Sequence, residues 1–168
     1  AAKIDKAVFP GLQGGPLDNI IAAKAVCFAE AATKDFKNRQ VQTIKNAKVL
    51  VELFIKNGLT VVAGGTDTHL ILLDCRPLKL NGQEAANLLA QADIYTNANL
   101  IPNDSGTPLN PSGLRLGAPA LTTRGMREKE MKQIGLWIIK ILKNPADKKI
   151  RENIKNQVRR LTKKFPIY

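Results

Sequence analysis

LTVVAGGTDTHLILLD, residues 59–74, is the stretch from which the fold of this chain follows. Asn57-Gly58, just before it, is a helix stop, because glycine accepts the left-handed backbone in which many helices end. Val61-Val62 and Leu70 to Leu73 are aliphatic runs too short for helices, and Gly64-Gly65 between them supplies a turn. Two short β segments are therefore predicted, with residues 59–74 as the centre of the sheet. On the N-terminal side, apolar residues recur at helical spacing at Leu17, Ile20, Ile21, Ala25, Val26 and Phe28. The pattern resumes from Phe36 through Ile44, Ala47, Leu50, Val51 and Phe54, so two helices broken near Thr33 are expected. On the C-terminal side, Asn81-Gly82-Gln83-Glu84 starts a helix running to about Ala92, and Ile94-Tyr95-Thr96 reads as a short strand. Residues 97–113 read as one long irregular loop, LRLG at 114–117 as a strand, and Ala118-Pro119 as a turn. MREKEMKQIGLWIIKIL, residues 126–142, is an amphipathic helix with Trp137 and Ile141 on its apolar side, and residues 146–164 form the last helix. Helices alternating with a few short strands predict an α/β sandwich, a small sheet covered on one side and mounted on a long helical stretch over residues 16–57.

Composition narrows the function classes. Of 168 residues, 44% are hydrophobic, which is ample for a buried core and excludes general disorder. Twenty-six Lys and Arg against fourteen Asp and Glu give a formal charge of +12, which suits a nucleic-acid partner, an anionic substrate or simply a basic proteome. The basic residues are densest in KNPADKKIRENIKNQVRRLTKKF, residues 143–165, where they share a helical period with Ile150, Ile154, Val158 and Leu161 and read as a solvated face. Only 5% of residues are aromatic and no RNP, KH, zinc-finger or helix-turn-helix signature is present. A nucleic-acid-binding module is thus kept only as the alternative. Cys27 and Cys75 lack CxxC spacing and read as reduced, partly buried thiols of a cytoplasmic protein. No run reaches the roughly 18 apolar residues of a membrane span. The opening AAKIDKAVF has neither an initiator Met nor a capping motif and reads as cut. His69 has no metal-ligand spacing around it and reads as a structural histidine, and Asp67, Asp74 and Asp104 read as solvated turn residues, so no metal site is expected.

Two places hold binding chemistry. In AVFPGLQGGPLDNII, residues 7–21, Gly14, Gly15 and Pro16 form a loop feeding a helix N-terminus, whose unpaired N–H groups and dipole can hold an anion. A plain helix cap explains the same residues. Arg115, in SGLRLGAP, sits on a short strand between glycines, so its planar fork suits a carboxylate. A salt bridge at a surface or between domains explains it equally well.

Four phrases in order, AVFPGLQGGPL (7–17), GGTDTHL (64–70), NANLIPND (97–104) and SGLRLGAPALTTRG (112–125), resemble the C-terminal part of the serine hydroxymethyltransferases, over essentially the whole chain. These are pyridoxal-phosphate enzymes of aminotransferase-like fold that move a one-carbon unit between serine and tetrahydrofolate. The resemblance implies a short, mostly antiparallel sheet covered by helices. Residues 1–31 would be the end of a large cofactor-binding domain and the start of a connecting helix, and residues 32–168 the C-terminal small domain. It implies that Gly14 and Gly15 approach the cofactor phosphate and Phe9 packs on folate, both serving the neighbouring subunit of a homodimer or tetramer. Asn99, Thr107, Pro108 and Leu109 would line the folate site of their own subunit, and Arg115 would grip the α-carboxylate of serine or glycine at the cofactor. Departures from the family pattern are Asp18-Asn19, Thr68 and Ala118. The family's cofactor-linking lysine, with the aspartate and histidine beside the pyridine ring, lies upstream of these phrases. Lys24, Lys45 and Lys48 sit at ordinary helical spacing, so no catalytic residue is assigned here, and the chain alone is expected to be an inert fragment. The small domain of another aminotransferase-like enzyme would share Arg115 without reason to keep the folate loop.

Overall fold

The structure, a computed structural model, describes residues 1–167. The chain divides into two compact units, one of residues 1–38 and one from Arg39 onward.

The first unit begins with α1 (Ala2–Lys6) and a wide turn, Ala7–Leu12, in which Phe9 is extended and precedes a cis Phe9–Pro10 bond. It continues through α2 (Asp18–Ala31) into the first turn of α3 (Lys34–Lys56). The expected break falls at Thr33, whose hydroxyl accepts from Phe36 N at 3.2 Å and donates to Glu30 O at 2.7 Å, serving both helix ends.

In the second unit α3 buries Thr43, Asn46, Ala47, Leu50, Val51 and Phe54, one stripe at three- and four-residue spacing. Gly58, at φ +75, ends the helix as its sequence position predicts. The chain then forms β1 (Thr60–Val61) and β2 (Leu70–Asp74), joined by a turn through Ala63 and Gly64. Next comes α4 (Gly82–Ala90), started by a capping box: Glu84 N donates to Asn81 Oδ1 at 2.7 Å and Asn81 N to Glu84 Oε2 at 2.9 Å. β3 (Asn97–Asn99), β4 (Gly113–Gly117), α5 (Pro119–Thr123), α6 (Glu128–Lys143) and α7 (Lys148–Lys164) complete the order.

Among the described residues the sheet has four strands in the order β1-β2-β4-β3, every pair antiparallel. Ile71 faces Leu116 and Leu73 faces Leu114 across the central pair, and these side chains join Phe54, Leu89, Met131, Ile138 and Ile141 in one core. One face of the sheet is thus covered by helices. The fold is mixed α and β with a small antiparallel sheet, as expected of a C-terminal domain of this family type.

Several expectations need correction. Residues 59–74 are not wholly central, because β1 lies at the edge and only β2 and β4 are inner strands. The strand expected at 94–96 lies at 97–99. Asp93 takes a left-handed backbone (φ 59) and Ile94 N donates to Leu89 O, so those residues finish α4. The Ala-Pro turn opens α5. Arg151 does not belong to a solvated face: it is buried, with Nε donating to Gln91 Oε1 at 2.8 Å and Nη1 to Pro145 O at 2.6 Å. Cys75 is buried, but Cys27 is exposed. His69 is also exposed, and its part in the fold is a main-chain one, its carbonyl accepting from Ala118 N.

Candidate functional site

Alternation along β4 sorts its side chains. Leu114 and Leu116 enter the core while Arg115 is exposed on the opposite face. Pairing extends that open face sideways: Arg115 lies opposite Leu72 of β2 and Asn97 of β3, and Gly113 opposite Asp74 and Asn99. The guanidinium therefore rises from an inner strand, on the side the core leaves free. Its Nη2 donates to Asn97 Oδ1 at 3.3 Å. Among the described residues it has no carboxylate ion-pair partner. An unneutralised planar cation on a rigid strand can take both oxygens of a carboxylate. A Cβ added at Gly113 would stand 2.5 Å from Ile101 Cγ2 and 2.7 Å from Asn99 O, so this glycine is required by close packing.

Beside this face, residues 100–112 connect β3 to β4. Thr107, Pro108 and Leu109 sit at the end of a tight hairpin, with Asn110 N donating to Thr107 O at 2.9 Å and Thr107 N to Asn110 O at 3.3 Å. Leu109 is 92% exposed. Gly106 has to be glycine, because a side chain there would overlap Asn110 O. The far end of the loop is tied to the fold by Cys75 N donating to Ser112 O at 3.0 Å and Gly82 N to Pro111 O at 2.7 Å.

Two of the three aspartates expected to be solvated turn residues are not. Asp104 is half-buried and accepts from Ser112 Oγ (2.7 Å), Gly106 N (2.8 Å), Ser112 N (2.9 Å) and Ile101 N (3.1 Å). Those bonds, the Ser112 hydroxyl first among them, hold its carboxyl well below the usual carboxylate range. Asp74 pairs with Arg76, with Nη2 to Oδ2 at 2.8 Å, and that guanidinium lowers its pKa. Asp67 alone stands in solvent, 3.9 Å from Lys48 Nζ.

The remaining predicted residues, Phe9, Gly14 and Gly15, belong to the first unit and form a group of their own. Phe9 is 64% exposed. A Cβ added at Gly14 or Gly15 would meet nothing within 4 Å, and neither has a left-handed backbone. Neither packing nor conformation within the chain demands glycine there, and the main chain at both positions is open on the side where a Cβ would stand. The helix that follows has no side-chain cap at Leu17, so its first amides are open to an anion, although Asp18 places a negative charge in the same turn.

Sequence reasoning missed Asn97 as the partner of Arg115 and Asp104 as the fastener of the loop. Asp104 carried a local sign, glycine two residues on, but its second partner, Ser112, is eight residues away. The departures Thr68 and Ala118 are accommodated: Thr68 Oγ1 accepts from Leu70 N, and Ala118 is fully buried. Among the described residues no group of three or more His, Cys, Asp or Glu is placed to hold a metal ion, and no helix is long and apolar enough to cross a membrane.

Residues 1–138 match the sequence model of the family described as serine hydroxymethyltransferase. Over the whole chain the sequence is 51% identical to a serine hydroxymethyltransferase of Methanospirillum hungatei and 48% identical to one of Koribacter versatilis, covering 41% and 39% of those proteins. A serine hydroxymethyltransferase of Polynucleobacter necessarius is 51% identical over 165 residues, 98% of this chain and 40% of that protein. The chain thus spans about two fifths of the length of the curated relatives it matches. Matches of this kind do not favour the nucleic-acid-binding alternative.

Proposed function

The chain belongs to the serine hydroxymethyltransferase family, and from that premise we propose that it is the substrate-gripping part of an enzyme that interconverts serine and glycine with transfer of a one-carbon unit to tetrahydrofolate. Residues 1–31 complete the large cofactor domain and residues 32–168 form the small domain. The observation that carries this reading is Arg115: an exposed guanidinium on an inner strand, hydrogen-bonded to Asn97 and, among the described residues, not paired with a carboxylate.

Bound pyridoxal phosphate supplies the electron sink for negative charge that develops at the substrate's α-carbon. Gly14 and Gly15 fit its phosphate, since their main chain is open on the side where a Cβ would stand. Arg115 would fix the substrate carboxylate in two directions, which sets the rotation about the bond between the amino nitrogen and the α-carbon and so selects which bond to that carbon is placed to break. Asn97 limits the swing of the guanidinium. Phe9 offers an exposed ring to the flat pteridine of folate, and Asn99, Thr107, Pro108 and Leu109 line the folate site of their own subunit. The glycines and Phe9 serve the neighbouring subunit of a homodimer or tetramer, and the enzyme works in the cytoplasm.

In the complete enzyme, Arg115→Ala should weaken capture of serine and glycine by about 2–5 kcal/mol, the cost of leaving a desolvated carboxylate unpaired. That corresponds to roughly 30- to 5,000-fold. Titration of glycine by calorimetry measures it. Unchanged glycine affinity would remove Arg115 from the site.

A further inference from the structure

Loop 100–112 is long, irregular and exposed at its tip, yet its main chain is closely held. Four bonds to one carboxylate draw together three separate points of the loop, Ile101 at its start, Gly106 before the hairpin and Ser112 at its end. Oδ1 serves Gly106 N and Ser112 Oγ; Oδ2 serves Ile101 N and Ser112 N. With Ser112 and Pro111 also fastened to Cys75 and Gly82, the Thr107–Asn110 hairpin stands on a closed base. It presents Leu109 to solvent, where an apolar side chain gains nothing from the fold itself.

We propose that Asp104 is a positioning residue for folate: by closing the loop it presents Thr107, Pro108 and Leu109 as a preformed ledge before the ligand arrives. This rests on the folate reading of those three residues. A loop ordered in advance loses less freedom when a ligand binds, so the fastening contributes to affinity although Asp104 itself need not touch the ligand. Both oxygens are needed. Asparagine in either amide orientation would set its NH₂ against a main-chain N–H, that of Gly106 on one side or those of Ile101 and Ser112 on the other.

The test is Asp104→Asn in the complete enzyme, with Leu109→Ala beside it. Asp104→Asn should speed amide exchange at Gly106 and Ser112 and raise the KM for tetrahydrofolate by roughly tenfold or more, with kcat and the KM for serine within about twofold of wild type. Leu109→Ala should raise the folate KM without changing exchange at those amides. Should Asp104→Asn not fold, Ser112→Ala, which removes only the hydroxyl's bond, should move both readouts in the same direction by less. Unchanged exchange overturns the proposal, as does an equal rise in both KM values. Faster exchange with unchanged folate KM also overturns it, while a response to Leu109→Ala in that case leaves the folate reading standing. If neither variant moves the folate KM, the folate reading falls and the proposal with it.

Discussion

Cys27 and Cys75 carry the same thiol in opposite surroundings. Burial, with Asp74 next to it adding a smaller effect, pushes the Cys75 thiol up to about 12, while Cys27 lies exposed on α2. The thiolate is the reactive species, so at pH 8 a thiol reagent should label Cys27 and spare Cys75 until the protein is unfolded, as peptide mass mapping would show. Asp104 and Asp74 are shifted in the other direction. A carboxyl that holds its proton less firmly in the folded chain than in the unfolded one stabilises the fold fully above the ordinary carboxylate pKa of about 3.9. That contribution disappears as pH falls through the lower folded value. Loop 100–112 should therefore stay ordered from pH 7 to pH 5 and loosen only under stronger acid. Carboxyl carbon NMR shifts of Asp104 followed through an acid titration would reveal a midpoint near 4 if the four bonds are not made.

Elements are held to each other by a few polar ties within an apolar core. Asn46, fully buried on α3, donates to Thr122 Oγ1 at 2.9 Å and Met126 O at 3.0 Å and accepts from Gln42 Nε2 at 3.0 Å, linking α3 to α5 and to the turn before α6. Asn46→Ala should lower the unfolding free energy by about 2–4 kcal/mol through unsatisfied partners and a small cavity, measurable by urea titration. At the start of α4, a Cβ on Gly82 would overlap Gly113 O and stand 3.0 Å from Pro111 O. Gly82→Ala should cost about 1–3 kcal/mol and move β4 away from α4, displacing Arg115 with it. At this scale the sequence was uneven as a guide. The stripes of α3 and α6, the Gly58 stop and the Asn81–Glu84 box are local patterns and were readable in advance. β3 was not, because Asn97-Ala98-Asn99 has no strand-forming side chains and becomes a strand only by pairing with β4 some 16 residues on. Arg151 likewise sits in a basic run, and it is held inside by the carbonyl of Pro145 close by and by Gln91, 60 residues earlier in the chain. The candidate site divides in the same way: Arg115 and the glycines stand out as candidates through neighbouring residues, whereas Asn97 and the second fastening of Asp104 depend on contacts across the fold.

The two units differ in what they bury. Every residue of the core belongs to the second, beginning at Thr43 and Ala47, whereas α1 and α2 have no buried residue. A protein of residues 33–168, keeping Thr33 as the cap of α3, should therefore unfold cooperatively within a few degrees of the full chain's midpoint; calorimetry of both decides it. Leu17, Ile20, Ile21, Val26 and Phe28 are all exposed in the first unit, so the full chain should bind a hydrophobic dye more strongly than the shortened one. On β4, Arg115 stands between Gly113, which is buried, and Gly117, where the peptide backbone lies bare beside the charged post. The two glycines are not equivalent, since an added methyl at 113 collides with the fold while one at 117 meets nothing nearer than Pro119 Cδ at 3.5 Å. Position 117 is consequently where a methyl group can be added beside Arg115 without disturbing the architecture beneath it.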